Sequence, residues 1–349
     1  MKCLGMLNHG KSIFFCKQQV VLPTGEKISM YSSSKMKRFL GGIRLFERLF
    51  RLEPRCAAFI GKKYLLLAYQ RHLWIIDIDK GIIMKTMAVR SGFSDVLSFC
   101  QMNDAVYFGD YGNNPNNEPI HVYRLGSDLE LRVAYTFPAG SIRHIHGLVY
   151  DKWRKRFFIF TGDDGKQVGI YTTSSDFTSV EPFLIGSQQY RTVIGYVTEK
   201  YLYYSTDAVM EENSLYRVSL NGEKSIQKIC TLTGSVVFGC NLEHGFLIST
   251  TVEPYPIKKS ALLSILDNRR GKGIKSADVM LWQVDEEGKM NLIKSYRKDL
   301  WPMRLFQYGC VQFPALMEKN IDSILVNPVA VEKYDGKPQE VVLSNDKRK

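Results

Sequence analysis

The stretch HIHGLVYDKWRKRFFIFTGDDGKQVGIYTTSSDFTSVEPFLI, residues 144–185, decides the fold. An apolar run that begins near Ile145 meets a charged turn, DKWRKR. A second run, FFIFTGD (157–163), ends in small residues and an acid. A third, VGIYTT (168–173), carries an aromatic near its middle, and FTSVEPFLI (177–185) closes the unit. Short apolar or alternating runs bounded by Gly, Asn, Asp and Ser read as strands, and helical periodicity is scarce.

The same order recurs along the chain. Second-strand endings are YLLLAYQ (64–70), AVYFGD (105–110), FFIFTGD, YLYYSTD (201–207) and FLISTTVE (246–253). Third strands carry Trp74, Tyr123, Tyr171, Tyr216 and Trp282, at intervals of 49, 48, 45 and 66 residues. Four-stranded propeller blades need ~40–50 residues each, so the last interval holds an insertion. The expectation is an all-β fold, a single β-propeller domain over 1–349. Five blades are clear, and the remainder is built from 10–32 and 304–345 by N- and C-terminal strands sharing one sheet. Six blades are favoured and seven allowed.

Two segments break the pattern. Residues 34–52 place Phe39, Ile43, Phe46 and Phe50 at helical spacing with Arg and Lys opposite. This amphipathic segment reads as a helix packed on the propeller exterior or as an interfacial membrane helix. The insertion, 257–278, is basic, with Lys258, Lys259, Arg269, Arg270, Lys272 and Lys275. A loop of this length covers a site, meets a partner, or is simply solvated.

The net charge of +12, from 47 Lys and Arg against 35 Asp and Glu, favours anionic partners. No nucleic-acid motif is present, so nucleic acid is not an expected partner. Seven cysteines, an odd set with no Cys-x-x-Cys, read as free thiols of a reducing compartment, and a cytoplasmic location is expected. No window approaches ~18 apolar residues, so no membrane span is expected.

In an up-and-down blade the start of the first strand and the end of the second lie on one face. On that face the repeat puts Asp110, Asp163, Asp164, Asp207 and Glu253 from second-strand endings. From first-strand beginnings it puts Arg55, Arg143, His144, His146, Arg191 with Tyr190 beside it, and Arg304. Such a ring suits an anionic or polyhydroxylated ligand, since arginine forks a carboxylate and carboxylates accept from hydroxyls or act as acid and base. His144, His146, Asp163 and Tyr190 are the catalytic candidates. Asp110, Arg143, Asp164, Arg191, Asp207, Glu253 and Arg304 are the substrate-binding ones. As metal ligands His144 and His146 would need a third partner, which His9, His72, His121 and His244 do not offer by spacing, so no metal or cofactor is expected. Each acid also has a plain reading as a turn former.

VYRLGSDLELRVAYTF (122–137) and IYTTSSDFTSVEPF (170–183) resemble degenerate Asp-box repeats, keeping Ser127, Asp128, Ser175 and Asp176 but not the Gly and Trp. With GDYGNN, RHIHGLVYD, FTGDD and GSQQYRTV in the same order, 105–220 is similar to bacterial sialidase-like (BNR-repeat) propeller proteins. For sialidases that family implies an arginine triad, a Tyr–Glu nucleophile and an Asp acid/base; the Arg-Ile-Pro signature is absent here. Propeller polysaccharide lyases are a second similar group, and His144, His146, Tyr190 and Arg191 suit their chemistry. The resemblance implies a carbohydrate-binding or carbohydrate-processing protein, glycosidase-like or lyase-like, with an acidic or complex saccharide as ligand. The other reading is a non-catalytic scaffold that recruits a protein or membrane surface through 257–278 or 34–52.

Overall fold

A computed structural model describes residues 1–30, 39–163, 165–256 and 265–344 of the chain. Among them, seven small sheets carry nearly all regular structure. Five are antiparallel four-stranded sheets whose strands pair in sequence order, as the repeat predicts. The first of these holds β5 (Cys56–Ile60), β6 (Tyr64–Tyr69), β7 (His72–Asp77) and β8 (Ile82–Ala88). The second holds β9 (Cys100–Met102), β10 (Ala105–Gly109), β11 (Ile120–Gly126) and β12 (Leu131–Phe137). The third holds β13 (His144–Asp151), β14 (Arg156–Gly162), β15 (Gly169–Ser174) and β16 (Val180–Ile185). The fourth holds β17 (Thr192–Val197), β18 (Tyr201–Thr206), β19 (Asn213–Ser219) and β20 (Ile226–Leu232). The fifth holds β21 (Val236–Asn241), β22 (Phe246–Thr250), β23 (Asp278–Val284) and β24 (Met290–Arg297).

The chain ends supply the other two. β1 (Lys2–Met6), β2 (Ser12–Cys16), β3 (Gln19–Val21) and β4 (Lys27–Ser29) form a sheet that β26 (Ala315–Leu316) joins in parallel against β1. β25 (Cys310–Gln312), β27 (Ser323–Val329) and β28 (Gln339–Val342) form the seventh. The fold is thus an all-β propeller with seven sheets, where six were favoured and seven allowed.

Burial grades across each sheet. Second strands are covered on both faces: Phe157, Phe158, Ile159 and Phe160 of β14 are all fully buried, as are Leu65, Leu66 and Leu67 of β6. Hence these strands read as continuous apolar runs and not as alternations. Each such side chain contributes about 1.5–3 kcal/mol through its burial. Fourth strands are mostly exposed or half-buried, β8 alternating strictly, because they form the free outer edge of each sheet.

By contacts the chain divides into two compact units. One comprises Met1–Glu53, Asp207–Tyr216 and Gln227–Lys349, the other Pro54–Thr206 and Arg217–Ile226. In the second unit, Val106 and Phe108 of β10 pack with Leu66 and Ile75, while Tyr107 packs with Phe157 and Ile159. In the first, Leu247, Leu281, Val311 and Val326 share one core with Ile274 of the basic insertion.

The 34–52 segment differs from its expected form. Among its described residues, helix α1 covers Arg44–Leu49 and Phe39 and Leu40 are also helical, while residues 34–38 lie outside the described residues. Its burial departs from the simple pattern: Glu47 and Arg48 are buried and Phe46 and Phe50 half-buried, whereas Phe39 is 80% exposed and Ile43 48%. Arg48 reaches Asp299 and Asp335, and Arg44 pairs with Asp335 and Glu53 at 2.9 and 2.7 Å. Ion pairs with residues far along the chain, invisible to a local pattern, set which side faces in. Residues 257–264, with Lys258 and Lys259, also lie outside the described residues; the rest of the insertion is partly packed, Ile274 being only 4% exposed. No described helix is long and apolar enough to cross a membrane.

Candidate functional site

The β13–β14 hairpin builds the site. His144 pairs with Gly162 and Ile145 with Thr161, and the register then shifts before Gly147. The end of β14 therefore returns beside the start of β13. A β-carbon on Gly162 would lie 2.2 Å from Cε1 of His146, so only glycine leaves room for that ring. Asp163 follows immediately and turns its carboxylate onto the two imidazoles. Its Oδ1 is 3.1 Å from Nε2 of His146 and 3.4 Å from Nε2 of His144. The donor atoms of all three residues lie within 4.8 Å of one another.

Each histidine also ties β13 to a different neighbour through its other nitrogen. Nδ1 of His144 stands 2.6 Å from the carbonyl oxygen of Gly112, after β10, and Nδ1 of His146 stands 3.0 Å from that of Thr192, the first residue of β17. A carbonyl oxygen only accepts, so both Nδ1 atoms carry hydrogen and donate. Side chains and carbonyls of three successive sheets thus hold the two rings, which are 2% and 1% exposed with centroids 4.9 Å apart.

Arg191 completes the cluster. Its Nη2 is 3.0 Å from Asp163 Oδ1, and its Nη1 donates to the Asp163 carbonyl at 3.5 Å. Gln188, in the short 3-10 turn Gln188–Tyr190, donates to the same carbonyl at 2.8 Å. Burial acts to raise the Asp163 pKa, but the two imidazoles and the Arg191 charge outweigh it and hold the carboxyl far below its usual range. Asp163 keeps 28% of its side chain exposed and Arg191 19%, so the cluster is reached from that side.

His144, His146, Asp163 and Arg191 are thus brought together as the repeat predicts. Tyr190 belongs to the turn that pins Asp163, but the ring that stands against the histidines is Tyr111, 4.8 Å from His144 and 6.1 Å from His146. The Arg55 guanidinium lies 4.7 Å over Tyr111. Tyr111 and Gln188 were not candidates; Tyr111 sits in GDYGNN beside Asp110, and that adjacency was the only available signal.

Asp110 is engaged otherwise. Its carboxylate takes Arg90 Nη1 at 2.9 Å, the His121 amide at 3.0 Å and the Tyr123 hydroxyl at 3.1 Å, which leaves it a structural node at 3% exposure. Arg143 is half-buried just ahead of β13. Asp164 lies outside the described residues. Asp207, Glu253 and Arg304 belong to the other compact unit, where Glu253 accepts from Thr251 and Arg304, on α2 (Met303–Phe306), donates to the Tyr255 carbonyl. The charged turn 151–156 is built on a buried acid: Asp151 is 0% exposed, caps the Trp153 and Arg154 amides and pairs with Arg154 and Arg156.

No family model matches the sequence, and no curated protein matches it. Solved structures do resemble it. A chain of the mitotic checkpoint complex superposes with a TM-score of 0.55 at 9% identity, covering 99% of this chain and 87% of that one. The Pan2 WD40 domain of Neurospora crassa gives 0.47 at 9% identity, covering 86% and 82%. A Bacteroides uniformis protein described as a 6-phosphogluconolactonase gives 0.46 at 12% identity, covering 98% and 96%. At 9% identity the likeness to the mitotic checkpoint chain speaks for the fold alone.

Proposed function

We propose that the protein binds an acidic saccharide at the His144–His146–Asp163–Arg191 cluster and acts on it there. The observation that carries this reading is the convergence of two buried imidazoles and an arginine on one carboxylate that stays partly exposed. Arg191 supplies positive charge for a ligand carboxylate, Asp163 accepts from hydroxyls, and the imidazoles offer proton transfer. The chain's charge of +12 draws an anionic ligand toward it. A lyase-like or glycosidase-like reaction fits this set, and the resemblance of 105–220 to sialidase-like propellers supports it. The test is binding and turnover of sialyllactose and an oligogalacturonate by the full chain against His146→Ala and Arg191→Ala. Loss in both folded variants is expected; unchanged binding in both overturns the assignment.

A second reading rests on a different surface. Leu300 and Trp301 are 88% and 47% exposed, and Asn268 of the basic insertion is fixed to their turn through the Leu300 carbonyl and the Met303 amide. An apolar pair beside basic side chains suits an acidic protein partner. If so, Leu300→Ser with Trp301→Ser abolishes a defined stoichiometric complex while the saccharide site is untouched.

A further inference from the structure

We propose that Nε2 of His144, Nε2 of His146 and Oδ1 of Asp163 form a binding site for one divalent transition-metal ion. Both Nδ1 atoms are committed as donors to the carbonyls of Gly112 and Thr192. In a neutral imidazole Nε2 then holds a lone pair. Unprotonated, both nitrogens stand 3.1 and 3.4 Å from a carboxylate oxygen, so three electron-rich atoms meet unless protons or a cation lie between them. Nε2 of His144, on a residue 2% exposed, has the long 3.4 Å contact with Asp163 Oδ1 as its polar neighbour. Filling the gap with protons requires two imidazolium rings side by side, both withdrawn from water, sharing one carboxylate with Arg191. One cation at the centre satisfies all three atoms at once.

Ligands held ~2.0–2.2 Å from a metal stand ~3.0–3.5 Å from each other; both imidazoles stand at that separation from Oδ1, and all three atoms lie within 4.8 Å of one another. Two imidazoles and one carboxylate select a first-row transition ion over Mg2+ or Ca2+, which take oxygen ligands. The Nδ1–H groups bonded to backbone carbonyls fix each ring and its tautomer, as outer partners of metal ligands do, and Arg191 holds Asp163 through Oδ1 and its main-chain carbonyl. Three protein ligands leave positions for exchangeable groups, and the partly exposed side of Asp163 is where they enter. The inference deepens the saccharide reading of the same cluster: the ion would hold carboxylate or hydroxyl oxygens of the ligand.

Full-length untagged protein, stripped with chelator, is titrated with Zn2+, Mn2+ and Co2+ by calorimetry, and Co2+ is also followed by its d–d absorption. One ion per chain is expected for at least one of the three. Asp163→Asn and His146→Ala should each weaken it at least about tenfold, while His72→Ala leaves it unchanged. Melting curves establish that each variant is folded, and Asp163→Asn, at a partly exposed loop position, keeps the test valid if His146→Ala unfolds. Absence of saturable one-to-one uptake, or equal affinity in folded Asp163→Asn, overturns the inference. Sialyllactose and oligogalacturonate binding is measured on stripped and loaded protein in parallel. Saccharide binding without metal uptake overturns the metal site alone; metal uptake without saccharide binding overturns the saccharide reading alone.

Discussion

The imidazole of His146 rests against the Cα of Gly162, so closely that a β-carbon there would stand 2.2 Å from Cε1 and 2.4 Å from Nε2. The glycine ahead of Asp163 is therefore what lets the first and second strands of this hairpin bring ring and carboxylate together. Gly162→Ala must push the ring away, and His146 is held behind by the Thr192 carbonyl. The expected cost is about 1–3 kcal/mol of stability. Ligand and metal uptake should fall with it. Urea unfolding and binding measured on one preparation check both, and an alanine variant as stable and as active as the parent refutes the packing argument.

Asp163 also sets an acid limit. Its folded pKa is depressed, so its charge stabilises the fold fully above the ordinary carboxylate value, ~4, and that contribution fades as pH falls toward the folded value. Asp163→Asn removes the titration. The stability gap between the parent and this variant should be constant above about pH 5 and shrink steadily below about pH 4. A gap that stays constant to pH 2.5 contradicts the assignment.

How the site could be read from sequence, and where it could not, follows from the same hairpin. His144 and His146 lie two residues apart in a strand, and Asp163 follows the end of the next strand, so strand arithmetic alone brought them together. Arg191 came from the start of the following repeat by the same rule. Asp110 obeyed the rule too, yet its carboxylate is taken by Arg90, which lies in the irregular link between β8 and β9 where no period applies. The five internal sheets were legible because their second strands are buried on both faces. Of the terminal sheets, the sharing of one sheet by the two chain ends was legible and is seen in the β26–β1 pairing, but the individual strands were not, because β3, β4 and β26 have only two or three residues each and carry no pattern to count.

The cysteines give an independent check on burial. Cys3 and Cys310 are buried, all seven thiols are free, and burial pushes Cys3, Cys240 and Cys310 up to about 12. At pH 8 only roughly one in ten thousand of each is thiolate. Iodoacetamide at pH 8 followed by peptide mapping should leave these three unmodified in the native protein and modify all seven in guanidinium. Rapid native labelling of Cys3 or Cys310 contradicts the packing of β1 and β25.

Arg48 makes the sharpest stability prediction. It is 2% exposed, donates from Nε to the Phe306 carbonyl at 2.6 Å, and reaches Asp299 at 2.5 Å and Asp335 at 3.3 Å. Asp335 in turn accepts the Ala330 amide and pairs with Arg44, and Lys298 pairs with Asp299. Arg48→Met keeps the aliphatic stem but leaves two enclosed carboxylates short of a partner and the Phe306 carbonyl short of a donor. Breaking a buried pair from one side costs about 3–5 kcal/mol. Because Arg44 and Lys298 still neutralise part of that charge, the lower end is expected. The midpoint of urea unfolding should fall with an unchanged slope, since the surface exposed on unfolding stays the same. The double variant Arg48→Met with Asp299→Asn should recover part of the loss, because it removes the stranded charge as well. A single variant within about 0.5 kcal/mol of the parent means that α1 is held by its half-buried Leu45, Phe46 and Leu49 and not by this ion-pair cluster.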